Sequence, residues 1–195
     1  MRMLVTLAFL MFAPQSAHAQ HGGHGQPSPY SGQEARAIKS LSEADITELR
    51  RGGGWGLAKA AELNGVPGPA HLLELKDDIP LSADQIAAIE AIFRKMRKES
   101  IEEGERLIAR ERALDAAFRA RKVTEDGLRR MLADIERSRS ALRYIHLSAH
   151  LDTIAILAER QVARYNTLRG YGTIPCSNVP AGHDPAKWRK HNGCD

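Results

Sequence analysis

Apolar and small residues recur at intervals of three and four through the middle of the chain, at Ile86, Ile89, Phe93, Met96, Ser100, Gly104, Leu107, Leu114 and Phe118. That spacing puts them on one stripe of an α-helix, opened by Ser82 as N-cap and running to about Arg121. Thr124, followed by Glu125 and Asp126, caps a second helix with a stripe of Leu128, Met131, Ile135, Ser138, Leu142, Ile145 and Ala149. So short a break between two long helices allows only an antiparallel return, which predicts a long helical hairpin. Three short helices precede it. Leu41–Arg51 is capped by Ser42 and ended by Gly52–Gly54; Trp55 or Gly56 to Leu63 stops at Asn64-Gly65; a third starts at Pro69 and runs through His71, Leu72 and Leu75. A last helix spans about Leu157–Leu168 and closes at Gly170. No segment alternates as a strand does, so the fold class is all-α, and an aromatic content of 5% makes the core aliphatic.

The first residues follow a different pattern. Arg2, the apolar run Leu4–Ala13 and the small-residue site Ala17-His18-Ala19 have the three parts of a cleavable secretory signal over residues 1–19. Ten apolar residues are half of what a membrane span needs. The expected location is therefore the periplasm, with no transmembrane anchor after cleavage. Residues 20–40, rich in Gly, His, Pro, Ser and Gln at the start, read as a flexible tail; 41–170 form the helical domain; 171–195 form a C-terminal tail. Cys176 and Cys194 both lie in that tail, and an oxidising compartment predicts a disulfide, worth roughly 3 kcal/mol through the entropy of the unfolded loop. The net charge of +4 falls to +3 without Arg2. Charges of both signs interleave along the helices, and export removes nucleic acid as a partner. The stretch around Gly52–Gly56 lacks the Gly-Lys-Ser/Thr ending of a phosphate loop.

Ser100 and Gly104 on the long stripe would let a partner backbone approach closely, which predicts a helix-mediated homodimer. The alternative is that the short N-terminal helices cover the stripe within one subunit. Glu111 also lies on the stripe, where a charge needs a partner, and Arg139 on the facing helix is the natural one.

Leu81-Ser82-x-x-Gln85 opens the first long helix and Leu157-Ala158-x-x-Gln161 the last. Physically each is a capping box with a hydrophobic staple, although Ala158 supplies no hydroxyl. Two copies flanking a helical hairpin resemble the periplasmic family of CpxP, Spy and ZraP, named for its LTxxQ repeat, and the related metal sensor CnrX. The resemblance covers roughly Leu72 to Gly170. It implies a cradle-like homodimer that either holds unfolded envelope proteins without ATP or senses metal ions.

His146 and His150, four residues apart, share a helix face at a spacing that can chelate one ion. By the same resemblance, further ligands come from His71 before the long helix and from a carboxylate on it, with Glu90 best placed. Folding the hairpin at residues 122 and 123 brings Glu99 level with His146 instead, and Glu74 is a third alternative. Imidazoles with a carboxylate suit Zn²⁺, Ni²⁺, Co²⁺ or Cu²⁺, although no cofactor is required by the fold. His21 and His24 are at most weak tail ligands. No nucleophile motif supports an enzyme.

These features predict first a periplasmic holding chaperone of the Spy/CpxP type, with Arg94, Lys95, Arg97, Lys98, Arg129 and Arg130 attracting unfolded or stressed envelope proteins. The alternative is a periplasmic heavy-metal sensor or metal buffer. A sensor kinase or an anti-sigma protein is a further possible partner.

Overall fold

In the computed structural model the described residues are 28–171, 179 and 181–191. The signal segment, His21, His24 and both cysteines lie outside them. The chain divides into two units at Glu34 and Ala35. Within the first, Tyr30 N donates to Ser28 Oγ and Gln33 Nε2 to the Pro29 carbonyl.

The second unit is helical: α1 (Glu43–Arg50), α2 (Lys59–Glu62), α3 (Pro69–Glu74), α4 (Ala83–Arg119), α5 (Glu125–Ile154), α6 (Glu159–Arg169) and α7 (Pro185–His191). Among the described residues there is no strand, and no helix is long and apolar enough to cross a membrane. Ser42, Ser82 and Thr124 cap their helices as expected. The second short helix is only Lys59–Glu62, shorter than expected, because Trp55 and Gly56 take left-handed backbone angles. α7 lies in the segment expected as a tail; Asp184, accepting from Lys187 N, starts it.

α4 and α5 pack along one another as the hairpin. Its stripe is buried at Ile89, Leu107, Ile108, Ile135 and Leu142, but Phe118 at the far end is 55% exposed. The short helices cover this stripe. Leu49 of α1 packs into the cluster with Leu107 and Leu142, and Ile38 joins them at 1% exposure, so the segment expected to be flexible reaches the core from its last residues. Gly104 is where α1 comes closest: a Cβ there would lie 2.6 Å from the Leu49 carbonyl oxygen. The small residue thus accommodates a helix of the same chain, where a partner backbone was expected.

Two charged layers cross the stripe. Arg139 pairs with Glu111 at 2.7 Å, as expected, while Ser40 Oγ donates to the other carboxylate oxygen and the guanidinium lies 5.2 Å from the Trp55 ring. Glu103, buried one turn or more N-terminal, accepts from Ser138 and Arg106. Burial pushes its carboxyl up, but these bonds and Arg110 outweigh it and hold it below the usual range.

Candidate functional site

The two capping motifs meet. Gln85 and Gln161 exchange side-chain hydrogen bonds in both directions, each Nε2 donating to the other's Oε1 at 2.9 Å. Each Oε1 also accepts the backbone N–H of its own N-cap, Ser82 at 3.0 Å and Ala158 at 2.8 Å. Each Nε2 donates its second proton to the carbonyl preceding the opposite motif: Gln85 to Ile156 and Gln161 to Pro80. Every donor and acceptor of both amides is used. The arrangement has a local two-fold pattern, and it ties the start of α4 to the start of α6. α5 ends at Ile154, so the last helix is separate. Ala158 is extended and serves as a cap through its backbone alone; Ser82 also accepts from Gln85 N.

A cleft of about 530 Å³ opens between the short helices and the hairpin. His146 and His150 project into its wall from α5 and are nearly fully buried. His146 Nε2 meets Ser100 Oγ at 3.2 Å. Burial and then the neighbouring His150 depress its imidazole below the usual range, against the opposing pull of Glu48 and the Gly53 carbonyl. His150 Nδ1 is 2.7 Å from the Val66 carbonyl, which only accepts, so this nitrogen carries the proton and Nε2 keeps its lone pair in the neutral ring. Gly68 lies against that ring: a Cβ there would be 2.5 Å from Nε2. Each histidine therefore meets a different glycine-bearing loop of the cap.

On the far side, Glu62 of α2 collects donors on one oxygen. Tyr165 Oη (2.6 Å), Tyr171 Oη (3.0 Å), Arg169 Nε (3.1 Å) and His71 Nδ1 (3.2 Å) all approach Oε1. Burial pushes this carboxyl up, but the two hydroxyls, His71 and Arg169 outweigh it and hold it below its usual range. The Tyr165 hydroxyl is raised by its burial and by Glu62. Glu62 Oε2 is buried and has no hydrogen-bond partner among the described residues.

Of the expected ligand set, the fold brings His71, His146, His150 and Glu74 to this one cleft. Glu90 does not join them: it pairs with Arg94 on the solvent side of α4. Glu99 is not on the cleft either, since its neighbour Ser100 is the residue that faces His146. The hairpin register is offset by one residue from the expected one, and one residue turns a helical side chain by about 100°. Glu48 and Glu62, which no sequence signal singled out, supply carboxylates instead. As they stand, no three His, Cys, Asp or Glu side chains among the described residues converge to hold an ion.

Of the cations, Arg94 pairs with Glu90, Arg129 with Glu125, and Arg97 Nε donates to the Arg51 carbonyl. Lys95, Lys98 and Arg130 are exposed. Beside Arg94, Arg97 and Lys98 runs an open groove of about 370 Å³ with Phe93 and Ile101 in its lining.

No protein-family model matches the chain, and neither does any curated protein or solved structure.

Proposed function

We propose that the chain is an exported, ATP-independent holding protein for unfolded envelope proteins, of the Spy/CpxP kind that its motifs resemble. The observation that carries this reading is the reciprocal Gln85–Gln161 pair, because the two sequence repeats meet in one device that ties the start of α4 to the start of α6. On the hairpin Phe118, Leu132, Tyr144 and Leu151 are exposed, and so are Arg129, Arg130 and Arg143 of α5. Interleaved cations raise the encounter rate with acidic chains, and scattered apolar side chains hold them weakly enough for release. The test is light scattering of a chemically unfolded client diluted into the mature protein at equal molarity. Suppression without ATP supports the reading; unchanged aggregation of several unrelated clients defeats it.

A second reading, a periplasmic metal sensor or buffer, is favoured by one feature of the cleft. His150 donates Nδ1–H to a backbone carbonyl and keeps Nε2 available, the usual second-sphere arrangement of a metal-ligating histidine. His71, His146 and a carboxylate from Glu48, Glu62 or Glu74, which line the same cleft, would have to rotate toward His150 to complete a Zn²⁺, Ni²⁺, Co²⁺ or Cu²⁺ site. Calorimetric titration with each ion tests this, with the His146→Ala/His150→Ala variant expected to lose the binding heat.

A further inference from the structure

Side chains of Trp55, Phe93 and Met96 give the cleft between the short helices and the hairpin an apolar lining, and its volume of about 530 Å³ is that of a small-molecule site. Three acceptors interrupt the lining. Glu62 is 9% exposed and its donors all crowd Oε1, so Oε2 is buried with no hydrogen-bond partner among the described residues. His150 gives its Nδ1 proton to the Val66 carbonyl and keeps a lone pair at Nε2. A Cβ at Gly68 would lie 2.5 Å from that nitrogen, so glycine is what leaves it uncovered. Glu74 is exposed at the rim and has no ion pair among the described residues. Cations line the cleft as well, but Arg51 pairs with Glu48 and Arg97 Nε donates to the Arg51 carbonyl. Of the three, Lys59 alone makes no side-chain bond among the described residues, and it is exposed.

This combination discriminates among ligands. An anion would meet the Glu62 carboxylate and an imidazole lone pair, both repulsive. A neutral apolar molecule would leave the buried Oε2 unpaired, and a bare metal ion would make no use of the apolar lining. A molecule that donates at one end and is apolar over the rest answers both halves of the cleft. We propose that the cleft binds a small primary amine with an apolar or aromatic body, its ammonium donating to Glu62 and its body lying against Trp55, Phe93 and Met96. The ammonium–carboxylate bond is charge-assisted, and it strengthens as the body displaces water from the lining. His150 Nε2 and Glu74 add to the preference for a donor over an anion. This binding requires neither client holding nor a metal ion.

Ligand-observed NMR titration of the full mature chain tests this with three molecules of nearly one shape: phenethylamine, the neutral phenethyl alcohol and the anionic phenylacetate. EDTA removes metal ions, and at about pH 8 the amine is protonated while imidazoles are neutral. Phenethylamine is expected to bind at least about tenfold more tightly than the alcohol, and phenylacetate more weakly than either. Glu62→Gln keeps the shape of the side chain and should bring amine and alcohol within about threefold of one another. Ala70→Leu fills the cleft without touching a charge and should weaken the amine at least about tenfold. Circular dichroism establishes that each variant folds; should Glu62→Gln not fold, Ala70→Leu and the three wild-type affinities decide. Equal affinity for amine and alcohol, tighter binding of phenylacetate, an unchanged amine preference in folded Glu62→Gln, or an unchanged amine affinity in Ala70→Leu each overturns the proposal. Client suppression and metal uptake are measured without the amine, so failure here leaves both readings of the function standing.

Discussion

Gln161 is 3% exposed and its amide is fully hydrogen-bonded, so removing it leaves one donor and one acceptor site of Gln85, the Ala158 N–H and the Pro80 carbonyl without their partner. Leaving buried polar groups unpaired costs about 1–3 kcal/mol, and the lost packing adds to it. Gln161→Ala is expected to lower stability by about 2–4 kcal/mol in urea unfolding. Ala158 offers the opposite experiment. Its backbone is already extended for capping and Gln161 already returns to it, but no side-chain oxygen accepts from the helix. Ala158→Ser supplies that acceptor and should raise stability by about 1 kcal/mol, seen as a higher Tm. Glu111→Gln keeps the shape but leaves the Arg139 charge facing a neutral amide; a loss larger than that of Glu125→Gln, whose ion pair is fully exposed, is the expected result.

At the scale of elements, α1 is held on the hairpin through Gly104. Adding a Cβ puts it 2.6 Å from the Leu49 carbonyl oxygen, and a helix backbone cannot yield as a flexible side chain does. Gly104→Ala gains about 1 kcal/mol of helix propensity yet should destabilise overall, because overpacking costs typically about 1–3 kcal/mol and here also detaches Leu49 and Ile46 from the core. Hydrogen exchange checks this, with faster exchange expected in α1 and unchanged exchange near the Gln85–Gln161 pair. The helices themselves were legible in the chain. Ser42, Ser82 and Thr124 with acidic residues behind them marked three starts, and the three–four spacing marked both long stripes. Ala158 marked the limit of that method, since a cap made only by backbone leaves no residue type to read.

Across the whole molecule, the histidine cleft makes stability depend on pH. His146 has an ordinary value near 6.5, kept in the unfolded chain, and a depressed one in the fold. Below about 6.5 the unfolded chain takes a proton that the folded chain refuses. Stability is therefore full above that pH and falls as pH drops toward the depressed value, by up to about 1.4 kcal/mol per pH unit. Thermal unfolding between pH 7.5 and 5.5 should show this slope, and His146→Gln should flatten it. Glu62 and Glu103, both held below their usual values, add a further loss only below about pH 4.5.

Local patterns in the chain were enough for the all-α class, the hairpin, most helix boundaries and the Glu111–Arg139 pair, because each depends on neighbours within a turn or on a register set by one tight reversal. Which carboxylates join His146 and His150 was decided only in three dimensions. Glu48 and Glu62 come from separate short helices placed by the glycine-bearing loops that follow α1 and α2, and nothing in their own neighbourhoods marks them. The same holds for Gly104: its size announced a close approach, but only the packing of α1 on the hairpin decided which backbone arrives there.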